Sequence, residues 1–254
     1  MSRNKFTPLI GLDSILKKIV TNNSNILLSC SEKAGEFLFG SKNFTIVPNP
    51  IETNRFLRVS SIKVQQLKSD LGISEEIFVI GHVGRFSAEK NHAFILKIAK
   101  KLTKLQVNFK VIFVGDGELK LSVKDEAINL GIQDKIIFAG KRTNVEEFYN
   151  LFDVLLFPSL HEGFGNVAVE GQVSGKKVIA STGVSEEVDL GLGLIKFIDV
   201  RKFDAWVKEI LISMDSNITV SEIDIKDALY NRGFGIDGVV RKYTDIYSGQ
   251  EKFN

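Results

Sequence analysis

The stretch "IFVIGHVGRFSAEKNHAFILKIAKKL" (residues 77–102) changes its hydrophobic period halfway along. From Ile77 to Val83 it is mostly β-branched or aromatic and apolar on successive positions, the pattern of a strand buried on both faces. From Asn91 onward, Phe94, Ile95, Ile98, Ala99 and Leu102 recur at helical spacing. Between the two lies a short polar turn with a glycine, Gly84. A strand that enters a helix through such a turn is half of a βαβ unit, and a chain of these units predicts an α/β fold with a parallel sheet.

The same alternation continues along the chain. "FKVIFVG" (109–115), "KIIFAG" (135–140), "DVLLFP" (153–158), "KKVIAS" (176–181) and "LIKFID" (194–199) read as strands. With the first, this makes six strand candidates, and a helical segment is expected in each of the five gaps. That is one complete Rossmann-like, doubly wound domain. "NILLSC" (25–30) and "FTIVP" (44–48) read as two further strands around a helix, "SEKAGEFLFG". Two strands do not make a stable sheet alone. Residues 1–50 are therefore expected to be the end of another domain whose beginning is absent, with the polar residues 51–76 as the connection. The resulting division is 1–56 for the remnant with its interdomain segment and 57–254 for the main domain.

Composition narrows the functional classes. The chain has 254 residues, 44% hydrophobic and 25% charged, with four prolines and a net charge of +2. Its lysines and arginines are scattered, so no footprint for nucleic acid appears. The single cysteine, Cys30, excludes an intramolecular disulfide framework and a cysteine-rich zinc site. No apolar run reaches the roughly 18 residues that cross a bilayer, and no secretory leader pattern is present. A cytoplasmic setting is the simplest expectation. "LIGLDSILKKIV" (9–20) reads as an ordinary packed helix. A membrane-surface helix is the rarer alternative, which leaves room for peripheral association with the inner face of a membrane.

Ligands of an open parallel sheet bind beyond the carboxyl ends of its strands. After the first strand, Gly84, Arg85 and Lys90 lead into a helix, an arrangement suited to a phosphate or diphosphate. After the second, Gly115 and Gly117 form a tight turn that lacks the third glycine of a dinucleotide fingerprint. After the fourth comes "SLHEGFGNVAVEGQVSG", with Glu162 in a loop, Gly165 and Asn166 where a helix should start, and Glu170 on that helix. Asn166 is the expected cap, and the free N–H groups behind it favour an anion. Small apolar neighbours argue against Glu170 lying on a solvated face, and a carboxylate suits the vicinal hydroxyls of a sugar. Of the three histidines, His82 is expected to be a satisfied core residue and His92 to cap or pack, while His161 lies near Glu162. Their spacing makes no metal site.

"EGFGNVAVE" resembles the E-x7-E motif of retaining nucleotide-sugar glycosyltransferases with the GT-B fold, the large family 4 group of group 1 transferases. "HVGRFSAEKN", "FVGDGE", "GIQDKIIFAG" and "DVLLFPSLHEGFG" follow in the order and spacing of that family. "SCSEKAGEFLFG" and "FTIVPNPIETNRF" resemble the end of its first domain and its interdomain segment, as in capsular and exopolysaccharide transferases. The resemblance covers nearly the whole chain. It implies that Arg85 and Lys90 hold the donor diphosphate and stabilise the leaving nucleotide. It implies that Glu162 adjoins the transferred sugar, that Glu170 takes the ribose hydroxyls, and that Gly165, Asn166 and Val167 touch sugar and phosphates. Gly84, Gly115 and Gly117 would line the nucleotide pocket, and residues 235–249 would form a helix that crosses back to the first domain. Arg85, Lys90 and Glu162 are the expected catalytic residues.

The chemistry this implies is charge development. Cleavage at the sugar builds positive charge on the ring and negative charge on the diphosphate, to which two cations and a helix N-terminus respond. No Asp-x-Asp occurs in the chain, so no metal and no cofactor beyond the nucleotide-sugar are expected. The partners expected are that donor, most often a uridine diphosphate sugar, and a saccharide or lipid-linked saccharide acceptor. Because most of an acceptor domain is missing from this reading, a separate acceptor-domain polypeptide is one expectation. A truncated chain that only binds nucleotide-sugar, or serves as an interaction module, is the other.

Overall fold

The structure is a computed structural model that describes residue 19 and residues 21–215 and 218–248. The expected helix at 9–20 falls almost wholly outside the described residues. Two short parallel strands, β1 (Leu28–Ser29) and β2 (Thr45–Ile46), flank helix α1 (Glu32–Phe39) and form a sheet of their own. Two helices follow, α2 (Thr53–Leu57) and α3 (Ser61–Asp70). Then come β3 (Phe78–Val83), α4 (His92–Lys104), β4 (Phe109–Val114), α5 (Lys120–Asn129), β5 (Ile136–Gly140), α6 (Val145–Leu151), β6 (Val154–Phe157), α7 (Asn166–Val173), β7 (Lys177–Ser181) and β8 (Ile195–Ile198). Helices α8 (Phe203–Asp215), α9 (Glu222–Asn231) and α10 (Ile236–Tyr247) complete the described chain.

The six strands β3–β8 form one parallel sheet in the order β5-β4-β3-β6-β7-β8. The expected Rossmann-like, doubly wound sheet is therefore present. Its strands bury side chains on both faces. Val79, Ile112, Leu155 and Val178 join the core under α6 and α7. Their neighbours Ile80, Val111, Val154 and Ile179 join the core under α4, α5 and α8. That two-sided burial is why the strands read as continuous apolar runs.

One of the five expected crossover helices is missing. Between β7 and β8 the chain makes only a three-residue 3₁₀ turn, Glu186–Val188, with Ser185 as its cap. Gly191 and Gly193 adopt φ of 76° and 68° there, a backbone that ends a right-handed helix. Helix α10 packs Val239 and Ile246 against Leu28 of the small sheet and against Ile26 and Val47 beside its strands. No helix among the described residues is long and apolar enough to cross a membrane.

The centre of the sheet is tight. A Cβ added at Gly81 in β3 would stand 2.1 Å from Cδ2 of Phe152, whose ring lies over the strand and is fully buried. Gly81→Ala is expected to cost about 1–3 kcal/mol, as overpacking does. The measurement is a fall in the urea midpoint with an unchanged slope.

Candidate functional site

In a sheet of this order, the chain runs outward from β3 on one side and from β6 on the other. The crevice beyond their carboxyl ends is the switch point where such folds bind ligands. The loop after β3 carries Gly84, Arg85 and Lys90, and the loop after β6 carries Glu162. The structure brings Lys90 and Glu162 into direct contact as an ion pair across this crevice. Their side chains are only 20% and 14% exposed. The Lys90 ammonium also lies 5.1 Å from the centre of the Phe157 ring. Arg85 is 72% exposed and pairs with Glu118 of the β4 loop at 3.0 Å. The two cations expected to share one anion thus each hold a different carboxylate. Glu118 ends the "FVGDGE" stretch, but nothing in the sequence marks it as the partner of Arg85; that proximity arises only when β3 and β4 pair.

Beneath Arg85 the floor is bare backbone. A Cβ at Gly115, where φ is 142°, would stand 2.0 Å from the Gly84 carbonyl oxygen, and one at Gly117 would stand 2.6 Å from that of Phe86. The β3 and β4 loops can approach this closely only because these residues lack side chains.

The entry into α7 departs from the expected capping. Gly165, with φ 112° and ψ 51°, is the N-cap, and no side chain caps the helix. Asn166 is already the first helical residue, followed by Val167. Its Oδ1 instead accepts a hydrogen bond from Asn49 at 3.2 Å. The reason is steric: the left-handed turn that admits the chain falls on Gly165, where a Cβ would lie 3.0 Å from Val184. The positive end of α7 is left without a side-chain acceptor.

Glu170 lies further along α7, half-buried, and accepts a hydrogen bond from the Tyr149 hydroxyl at 2.6 Å. Burial pushes its carboxyl above the usual range, while the Tyr149 bond and the Arg55 charge oppose the shift. Burial, and then the Glu170 charge, raise the Tyr149 phenol well above its ordinary value, so it stays a neutral donor. Sequence reasoning missed Tyr149. It sits 21 positions from Glu170 on another helix, and only the packing of α6 beside α7 joins them.

The histidines depart from expectation only in part: His82 lies in the core but is satisfied at one nitrogen alone, and of the two roles expected of His92 it takes packing. His82 is buried and its Nδ1 reaches the Leu156 carbonyl at 2.8 Å, but its Nε2 has no partner. His92 packs rather than caps: it stacks on Phe86 at 4.1 Å and meets His82 edge-on at 4.5 Å, with neither ring nitrogen paired. His161 borders a cavity of about 1090 Å³ between α1 and the ends of β6, β7 and β8, walled partly by Phe37, Leu38 and Leu160. Among the described residues no three His, Cys, Asp or Glu side chains converge as metal ligands would.

Burial first, then neighbouring positive charge including Lys90, depresses the two buried imidazoles to about 4 for His82 and about 2 for His92. Both are neutral in the folded chain, whereas the unfolded chain takes up their protons below about pH 6.5. Stability is therefore full above that pH and falls on acidification, by at most about 1.4 kcal/mol per pH unit for each histidine. Urea titrations from pH 7.5 to 4.5 should show this slope. His92→Phe, which keeps the stack on Phe86, should make it shallower.

Residues 63–193 match the model of the family described as glycosyl transferases group 1. The chain is 31% identical over 240 residues to "putative glycosyltransferase EpsF" of Bacillus subtilis (strain 168), covering 92% of this chain and 62% of that protein. It is 32% identical over 157 residues to the "lipopolysaccharide 1,2-N-acetylglucosaminetransferase" of Salmonella typhimurium (strain LT2), covering 57% of this chain and 40% of that one. It thus spans less than two thirds of the length of either relative. Its backbone is similar to the crystal structure of Anabaena Alr3699/HepE in complex with UDP-glucose, with a TM-score of 0.79 at 18% identity, covering 93% of this chain and 67% of that chain. That likeness shows the fold, while the family match places the chain: it belongs to the group 1 glycosyltransferases.

Proposed function

We propose that the chain is the donor-binding part of a retaining glycosyltransferase of family 4. It would move a sugar from a nucleotide diphosphate sugar, a uridine one by preference, to a saccharide or lipid-linked saccharide in polysaccharide synthesis. The observation that carries this reading is the Lys90–Glu162 pair at the β3–β6 switch point. Glu162 opens the E-x7-E pattern of this chain and Glu170 closes it.

The charges suit the chemistry. Breaking the bond from the anomeric carbon leaves its electron pair on the diphosphate, and the acceptor oxygen forms the new bond while its proton departs with the nucleotide. Lys90, Arg85 and the uncapped start of α7 face the negative charge so formed. A diphosphate entering the crevice offers Lys90 a second anion, which frees Glu162 to meet the sugar. Glu170, steadied by Tyr149, would accept from ribose hydroxyls, and Gly84, Gly115, Gly117, Gly165, Asn166 and Val167 would let the donor approach backbone. The structure of Anabaena Alr3699/HepE with UDP-glucose supports the choice of uridine. The division at residue 56 belongs to the same proposal: β1 and β2 form a sheet of their own, although Ile51 and Phe56, just before that boundary, already pack into the main core with Val64 and Leu67 of α3.

A second reading makes turnover depend on a separate acceptor-domain polypeptide. It is favoured by Ile236, Val240, Tyr243 and Tyr247, which stand exposed along one stripe of α10 beside the small sheet. Sugar transfer by the purified chain alone would remove it.

Calorimetry with UDP tests the donor site directly. Arg85→Ala and Lys90→Ala should each weaken binding at least about tenfold, roughly 1.4 kcal/mol. Absence of binding by the unaltered chain, or unchanged affinity in both variants, would sink the reading.

A further inference from the structure

The loop from Pro158 to Gly165 carries Glu162 and is pinned mostly by the main sheet and its loops. The Leu160 N–H donates to the Glu89 carbonyl at 2.8 Å and the Glu162 N–H to that of Gly183 at 3.3 Å. The Ser181 hydroxyl donates to the Ser159 carbonyl, and Asn91 donates to that of Pro158 at 3.3 Å. Two further ties come from outside that sheet. Ser31 is fully buried at the start of α1. Its hydroxyl accepts from the Ala34 N–H at 3.0 Å and donates to the Gly163 carbonyl, the residue next to Glu162. Asn49, just past β2, donates to the Asn166 side chain at 3.2 Å. The segment that bears both ties is itself fastened. Glu187 accepts from the Glu32 N–H at 3.2 Å, and the Ile51 N–H donates to the Phe234 carbonyl at 3.0 Å.

We propose that Ser31 and Asn49 are positioning residues for Glu162, a two-point clamp by which residues 29–49 set the loop that faces the transferred sugar. This rests on the donor-site reading above. The geometry explains why two ties are used. Gly163 has no side chain to pack, and Gly165 sits in the left-handed region, so the loop between them has little stiffness of its own. Ser31 fixes its carbonyl before Phe164, and Asn49 fixes the first helical residue after Gly165. Glu162 is then held from the far side of the crevice as well as by Lys90. The clamp leaves the floor at Gly84, Gly115 and Gly117 untouched. Through Ser31 it acts on the sugar end of the donor, while the Asn49 tie, on the first residue of the helix that faces the diphosphate, bears on both ends.

The test compares calorimetric affinities of the full chain for UDP and for UDP-glucose in Ser31→Ala and Asn49→Ala. Both variants should bind UDP-glucose at least about fivefold more weakly; Ser31→Ala should keep UDP within about twofold of the unaltered chain, and Asn49→Ala should lose UDP by a smaller factor than UDP-glucose. Ser31→Ala also removes the cap of α1. Asn49→Ala leaves that cap in place and serves if the first variant folds poorly. Equal losses for both ligands, or no loss for UDP-glucose in either variant, would overturn the clamp while the donor site stood. An unaltered chain that binds neither ligand would instead overturn the donor-site reading, and the clamp with it.

Discussion

The adjacency of β3 and β6 is the constraint on which the site depends. Val79 and Asp153 are 74 positions apart, yet the Asp153 N–H donates to the Val79 carbonyl at 2.8 Å and the Asp153 carboxylate accepts from the Val79 N–H at 2.6 Å. Ile80 and Gly81 then pair with Val154 and Leu155, and His82 reaches Leu156. This short ladder lines up two loops that chain order keeps far apart. A slip of one residue would turn every side chain of a strand to the other face, so register and site geometry are the same fact. Asp153 is well suited to the task. Burial raises its carboxyl above the usual carboxylate range, while the Val79 N–H pulls the other way.

What was legible in the sequence follows from this. Two-sided burial writes itself into a strand as an apolar run, so all six strands could be read in place. Helices that lie on the sheet show their inner stripe, as Ile95, Ile98 and Leu102 do. The β7–β8 connection misled because "VSEEVDLGLG" begins polar and helix-like, and only the positive φ at Gly191 and Gly193 shows that it cannot continue. The carboxylates and cations of the crevice were legible as residue types with a fixed order. Their partners were not. Tyr149, Glu118, Ser31 and Asn49 are set by tertiary packing, and no local spacing announces them. The Asn166 cap failed for a related reason, since the cost that shifted it to Gly165 comes from Val184.

The polar groups under the β3 loop show a different economy. Phe86, His92, His82 and Phe113 form one aromatic cluster directly beneath the turn that holds Arg85 and Lys90. Three ring nitrogens in it have no partner, a desolvation cost that apolar rings would avoid. Neutral imidazoles are compatible with a lysine close above them, where protonated ones would repel it.

The bare floor at Gly84, Gly115 and Gly117 has a consequence for selectivity. A surface made of main-chain atoms offers the same N–H and carbonyl groups whatever the surrounding side chains become. It can recognise what a class of ligands has in common and is poorly suited to telling its members apart. Discrimination must then be vested in the side chains on the crevice rim and in the loop around His161 and Glu162. On the donor-site reading proposed above, drift in that loop would retune which sugar is accepted and leave the grip on the shared diphosphate intact.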